Sequence, residues 1–292
     1  MEIVRSPGDM RNTAEEFRRK NLSLGLVPTM GFFHEGHLSL IRSARAACQR
    51  VVVSLFVNPT QFAPGEDFDR YPRDFERDRE LAAAEGVDVM FAPASEDIYP
   101  EGYATYVEVE RLTDGLCGAR RPGHFRGVAT IVAKLLNICL PTAAYFGQKD
   151  YQQVQVIKRM AKDLDFGVRI EILPVVREAD GLAMSSRNKY LSPEERRQAT
   201  CLYEALVRAQ ELFAAGETRP GRYSDEMKAL IETQPSVRLD YAEVVHPLEV
   251  TSVSVVERGA VAVVAAFVDG TRLIDNTILG EEELGAEVTT SC

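Results

Sequence analysis

The run Val51-Val52-Val53-Ser54-Leu55-Phe56-Val57 constrains this chain more than any other segment. It is nearly continuous in apolar and β-branched residues, so it lacks the polar alternation of a strand with one face in water. Such a strand needs cover on both sides, which parallel sheets obtain from crossover helices. The preceding segment supplies the start of that pattern. Leu24-Gly25-Leu26-Val27 is a short apolar run ending at Pro28, followed by a glycine-containing turn and then by Leu38, Ile41, Ala44 and Cys48 at helical spacing. This reads as strand, loop and helix, with the 51–57 strand predicted to pair beside the first.

The rhythm continues. Residues 69–85 read as a charged amphipathic helix with Gly86 as its C-cap, and Val87 to Phe91 as a strand. Residues 127–137 read as a helix, 143–146 as a strand, 151–164 as a helix and 169–173 as a strand. Alternating strands and helices imply an α/β fold with a doubly wound, Rossmann-like parallel sheet, whose ligands sit beyond the carboxyl ends of the strands. After Pro174 the order changes: a polar segment, helical stretches at 193–215 and 219–232, and short strands at 239–245, 260–267 and 272–276. The expected division is therefore a first domain at 1–174 and a smaller α+β domain at 175–292.

Acidic residues outnumber basic ones 44 to 34, a formal net charge of -10, which argues against a nucleic-acid partner. Cys48, Cys117, Cys139, Cys201 and Cys292 are scattered without metal-ligand spacing, as expected of reduced thiols. No apolar stretch approaches a signal peptide or a membrane span, so the expectation is a cytoplasmic protein with no membrane partner.

Chemistry concentrates first at Pro28-Thr29-Met30-Gly31-Phe32-Phe33-His34-Glu35-Gly36-His37, in the first strand-to-helix turn. Helix N-termini present N–H groups and a positive dipole end to phosphates, and Gly31 and Gly36 allow close backbone approach. His34 and His37, three apart, share one face of the first turn and can donate to phosphate oxygens. A capping pair on the surface and a metal site are the competing readings; the absence of further ligands at suitable spacing disfavours metal.

The segment resembles the HxGH signature of the nucleotidylyltransferase superfamily, and PTMG joined to HEGHLSLI resembles the pantoate–β-alanine ligase (pantothenate synthetase) family in particular. Further blocks agree in the same order over nearly the whole length: Asn58 to Phe62 (NPTQF), Tyr71-Pro72-Arg73, Arg121 to Gly127 (RPGHFRG), Gly147 to Gln153 (GQKDYQQ) and Arg177 to Asn188 (READGLAMSSRN). One departure is Phe32-Phe33, where many relatives have Ala-Leu, an apolar exchange expected to alter loop packing.

The resemblance implies condensation of (R)-pantoate with β-alanine using ATP, through a pantoyl-adenylate, to give pantothenate, AMP and pyrophosphate. It implies catalytic roles for His37, His34, Lys149 and Arg187. ATP binding would fall to Met30, Gly31, Phe32, Phe33, His34, Glu35, Gly36, His37, Gly147, Gln148, Lys149, Asp150, Val176, Met184, Ser185, Ser186 and Arg187. Gln61 and Gln153 would bind pantoate, Gln61 also touching the β-alanine site, and residues 175–292 would act as a lid. His37 could act as a proton donor or by hydrogen bonding to phosphate oxygens in the transition state. ATP chemistry makes Mg²⁺ an expected cofactor. Asp78 is its candidate ligand, although a solvated acidic helix face explains Asp74, Glu76 and Asp78 equally well. A homodimer through the N-terminal domains is also implied. The competing functions are another nucleotidylyltransferase, which would keep the nucleotide on its product, and a nucleotide-binding module without catalysis.

Overall fold

In the computed structural model, which describes residues 1–281, residues 51–55 of the apolar run lie in an interior strand of a parallel sheet, and Phe56 and Val57 follow its end. The first unit comprises Met1–Gln148 with Gln152–Leu173. Its elements in chain order are β1 (Glu2–Val4), α1 (Pro7–Arg19), β2 (Leu24–Thr29), α2 (Glu35–Ala47), β3 (Arg50–Leu55), α3 (Phe75–Ala84), β4 (Val89–Phe91), α4 (Ser95–Ile98), α5 (Leu116–Arg120), α6 (His124–Cys139), β5 (Ala143–Gly147), α7 (Tyr151–Asp163) and β6 (Arg169–Leu173). All six strands run parallel in the order β1-β4-β3-β2-β5-β6. Val51, Val52 and Val53 are fully buried, each side chain contributing about 1.5–3 kcal/mol of apolar burial.

The sheet reverses direction between β2 and β5. From β2 the chain moves outward to β3; from β5 it moves outward on the opposite side to β6. β2 pairs with β3 along its whole length, Leu24 to Thr29, but with β5 only at Gly25 and Leu26. The Thr142 N–H donates to Leu24 O and the Phe56 N–H to Thr29 O, so even-numbered β2 residues face β5 and odd-numbered ones face β3. Pro28 therefore turns its missing N–H toward β5 beyond the last paired residue, where no ladder bond is lost. This is the switch point at which an open α/β sheet forms a crevice outside its carboxyl ends.

Two sequence expectations need correction. The helix expected from Asp69 begins only at Phe75: Pro72 disfavours helical conformation in the residue before it, and Asp74 caps the start by accepting from the Arg77 N–H. The stretch from Pro193 is two helices, α8 (Pro193–Gln198) and α9 (Cys201–Ala214). The Thr200 hydroxyl donates to Arg197 O at 2.8 Å, offering that carbonyl a partner other than the helical N–H. The short β1, α4 and α5 and the longer α1 are additions, though Ser6 before Pro7 signals α1 by capping the Asp9 N–H.

The second unit comprises Lys149–Tyr151 with Pro174–Cys292, described as far as Glu281. It contains α8, α9, α10 (Pro220–Ile231), β7 (Val237–Val245), β8 (Val261–Val268) and β9 (Thr271–Ile278). The three strands form an antiparallel sheet in that order, and the alternate residues Ala262, Val264, Ala266 and Val268 of β8 share a core with Leu202, Leu206, Tyr223 and Met227 of α9 and α10. The architecture is a Rossmann-like α/β unit with a smaller α+β unit. Cys48, Cys117, Cys139 and Cys201 are buried and form no disulfide among the described residues, and Cys292 lies outside them. No described helix is long and apolar enough to cross a membrane.

A close approach inside the first unit generates a prediction. A Cβ on Gly127 of α6 would lie 2.3 Å from Thr60 O and 2.6 Å from Gln61 N. Helix propensity alone makes Gly→Ala stabilising by about 1 kcal/mol. The contact reverses the sign, so Gly127→Ala is expected to lower stability by about 1–3 kcal/mol. Urea unfolding measures this, and a stabilised variant would refute the close approach.

Candidate active site

The loop leaving β2 holds its shape through its own amides. Gly31 and Phe32 both have positive φ, 87° and 54°, the second in a residue with a Cβ and therefore strained. The Gly31 N–H donates to Thr29 Oγ1 at 3.3 Å, and that hydroxyl donates to Ser54 O at 2.7 Å. The Phe32 and Phe33 N–H groups donate to the two oxygens of Asp78, at 2.6 and 2.7 Å. The Arg77 guanidinium donates to Phe33 O at 2.9 Å and lies over the Phe32 ring. Phe33, 1% exposed, anchors the loop in the core.

Asp78 thus acts as a clamp on the loop. Its side chain is 1% exposed, and burial raises its carboxyl above the ordinary value while the two N–H bonds and Arg77 pull the other way. Both oxygens are occupied by backbone donors, and no cluster of three or more His, Cys, Asp or Glu residues that could hold a metal exists among the described residues. A resident Mg²⁺ does not fit this carboxylate.

His34 is the N-cap of α2 and His37 its third residue. The His34 N–H donates to His37 Nδ1 at 3.3 Å, which places the proton of the neutral ring on Nε2. The two ring centroids lie 4.1 Å apart. Gly36 is required by the same packing, because a Cβ there would sit 2.9 Å from His34 Cε1. With the N–H groups of 31–34 engaged inside the loop, those of Glu35 and Gly36 are the donors that the first turn of α2 presents to an anion. The Glu35 carboxylate itself pairs with Arg42, whose guanidinium also binds Glu85 and is held further into its charged form by both.

Gln61, buried in a short 3-10 turn (Pro59–Gln61), sits beside this loop: its Nε2 donates to Met30 Sδ at 3.2 Å. Its orientation is set by Asn58. Hydroxyls of Thr60 and Tyr99 donate to Asn58 Oδ1, so the Asn58 amide donates to Gly127 O and to Gln61 Oε1. Gln61 therefore turns its N–H side away from Asn58. No sequence spacing points to Tyr99, whose hydroxyl is pushed up to about 12 by burial and so stays protonated as a donor.

Gly147 ends β5, and Gln148 to Asp150 form a 3-10 turn leading into α7. Gln152 is a scaffold residue, accepting from the Cys117 N–H and donating to Leu112 O and Gly115 O. Its neighbour Gln153 is half-buried and enters no such set of bonds.

In the second unit, the Lys149 ammonium is 3.6 Å from Asp150, and Asn276 donates to Lys149 O. The stretch 176–188, polar in sequence, is a stapled hairpin. Met184 N–H donates to Val176 O, Arg177 pairs with Asp275, and Arg196 binds both Glu178 and Asp180. Ser185 caps the following short helix by accepting from the Arg187 N–H, Ser186 is buried, and Asn188 ties the turn to Glu178 and Ala183 O.

Replacing Asp78 by Asn puts an amide N–H₂ against one of two buried N–H donors. Asp78→Asn is expected to cost about 1–3 kcal/mol, read from the urea midpoint. An unchanged midpoint would show that the loop holds itself without the carboxylate.

Comparison with known proteins places this geometry in a lineage. The profile of the pantoate-beta-alanine ligase family matches residues 2–278. A pantothenate synthetase of Moorella thermoacetica is 55% identical over 284 residues, covering 96% of this chain and 99% of that protein. One from Thermotoga petrophila is 52% identical over 280 residues, covering 96% and 100%. The crystal structure of pantothenate synthetase from Thermus thermophilus superposes with a TM-score of 0.90 at 47% identity, covering 95% of this chain and 99% of that one. A Francisella tularensis pantoate-beta-alanine ligase, complexed with beta-gamma ATP and beta-alanine, superposes with a TM-score of 0.80 at 33% identity, covering 95% and 97%. With sequence and fold agreeing from one end of the sheet to the other, the chain belongs to the pantoate–β-alanine ligase family.

Proposed function

We propose that this protein condenses (R)-pantoate with β-alanine at the expense of ATP, forming pantothenate, AMP and pyrophosphate. The observation that carries the reading is the pair His34 and His37 at the start of α2, beside the point where β2 and β5 diverge, in a chain matched to the family over residues 2–278. That is where an open α/β sheet binds a phosphate ligand.

The chemistry has two steps. A pantoate carboxylate oxygen attacks the α-phosphorus of ATP and pyrophosphate leaves. The β-alanine amine then attacks the acyl carbon of the pantoyl-adenylate, loses a proton and releases AMP. No protein nucleophile is needed, so the rate comes from positioning and from donors aimed at developing charge.

His37 supplies Nε2–H to the phosphate oxygens next to the scissile bond, its Nδ1 being occupied by the His34 N–H. His34, Lys149 and Arg187 are assigned to the remaining phosphate oxygens, with Ser185 and Ser186 framing Arg187 and the backbone at Val176 meeting the adenine. Gln61 and Gln153 bind pantoate through neutral amides. Mg²⁺ enters as part of the nucleotide substrate, consistent with the engagement of both Asp78 oxygens by backbone N–H groups. A cytoplasmic homodimer is the accompanying expectation from the family.

Pyrophosphate release with ATP and pantoate, with and without β-alanine, tests the proposal. The expected result is limited release without β-alanine and sustained turnover with matched AMP formation when it is added. Removing one transition-state donor, in His37→Ala or Lys149→Ala, is expected to cut kcat by about 10²–10³-fold with folding intact. Nucleotide retained on the product, or turnover indifferent to β-alanine, overturns the reading.

A further inference from the structure

The block Arg121-Pro122-Gly123-His124 takes no part in the chemistry above, yet its geometry is as specific as that of the histidine pair. The His124 N–H donates to Arg121 O at 3.1 Å, with Pro122 and Gly123 between them and Gly123 at φ 81°, ψ -12°. This is the pattern of a type II turn, in which Pro suits the first central position and Gly the second. The turn brings the side chains of Arg121 and His124 together at the start of α6.

Arg121 uses every edge of its guanidinium. Nε and Nη2 donate to the two oxygens of Glu66, each at 2.7 Å. Nη2 also reaches Gln61 O at 3.3 Å, and Nη1 lies 3.0 Å from His124 Nε2. Guanidinium nitrogens only donate, so His124 Nε2 is the acceptor and the ring proton lies on Nδ1. That Nδ1–H donates to Gln61 O at 2.8 Å. Glu66 is itself held by the Ala63 N–H, and although burial alone would raise its carboxyl, Arg121 keeps it below the ordinary value.

We propose that His124, with its tautomer set by Arg121 and Glu66, is a positioning residue for the acid substrate: it fixes the Gln61 carbonyl and so fixes where the Gln61 amide meets pantoate. The inference rests on Gln61 binding pantoate. Gln61 is held on its side chain, where Oε1 accepts from Asn58 and Nε2 donates to Met30 Sδ, and on its main chain, where the carbonyl oxygen accepts from the imidazole and the guanidinium. Removing the main-chain hold leaves the residue in place and lets its amide drift.

Steady-state kinetics of four full-length variants, each with its melting temperature, test this. Gln61→Ala is expected to raise KM for pantoate. His124→Phe, which removes the N–H, is expected to raise KM for pantoate about tenfold, the worth of one such hydrogen bond, with KM for ATP little changed. His124→Asn places an amide N–H near the Nδ1 position and is expected to recover most of the loss. Arg121→Lys keeps a cation opposite Glu66 but loses the fork, and is expected to raise KM for pantoate a few-fold even if His124→Phe folds poorly. If Gln61→Ala raises KM for pantoate while the His124 and Arg121 variants do not, the positioning role is overturned. If Gln61→Ala leaves it unchanged, the assignment of Gln61 is wrong and the inference falls with it. Equal losses for pantoate and ATP, with a lowered melting temperature and no recovery in His124→Asn, reduce His124 to a structural residue and also overturn it.

Discussion

Two hydrogen bonds from the Phe32 and Phe33 N–H groups to one buried carboxylate set the conditions for everything at the mouth of the sheet. The chain leaves β2 through two consecutive left-handed residues, and a Cβ-bearing residue at such a φ costs on the order of 1 kcal/mol or more. The cost is tolerated because Asp78 accepts both amides at once, Phe33 drops into the core, and Arg77 closes over Phe32. The turn then delivers His34 to the N-cap position of α2 in extended backbone, with His37 one turn on. A helix start without this clamp would still attract an anion. It would not define which face the imidazoles present.

The same division of labour runs through the first unit. Polar side chains close to the candidate site fall into those satisfied by the fold and those the fold orients for something else. Gln152 binds three backbone groups, whereas Gln153, next along α7, binds none of them. Asn58 collects two hydroxyls on its oxygen and so gives Gln61 an unambiguous polarity. Asp78 and Glu35 are acids beside an expected polyphosphate, and both are engaged in advance, one by backbone donors and the other by Arg42. The Arg42 pairing lowers the electrostatic penalty that Glu35 would impose on a triphosphate.

The doubly wound order was legible because β3 is apolar along its length and β2 ends at a proline, features carried by single short windows of sequence. β1, three residues long, and the four residues of α4 are too short for any period to register. The helix expected from residue 69 starts only at Phe75 because Pro72 and the Asp74 cap override the apolar period upstream of them. At the site, motif positions could be read, but the role of Asp78 could not. It bonds to residues 45 and 46 positions away, and from sequence it is one of three acids on a charged helix. Likewise Tyr99 acts on Asn58 across 41 positions, where no local spacing announces the contact.

His37 and His124 solve one problem in mirror fashion. Each stands three residues after a partner at the beginning of a helix, and each is fixed in a neutral tautomer by a donor from that partner. The His34 N–H takes His37 Nδ1 and leaves the proton on Nε2, while Arg121 takes His124 Nε2 and leaves the proton on Nδ1. An imidazole whose acceptor nitrogen is already engaged can only donate with the other, so its direction of hydrogen bonding is decided before any ligand arrives. Donors aimed in advance need no reorganisation when a partner arrives or charge develops beside them. The i, i+3 spacing at a helix start is therefore not a mere capping habit in this chain. It is the local geometry by which a donor three residues earlier, a main-chain N–H for His37 and a guanidinium for His124, sets which ring nitrogen carries the proton.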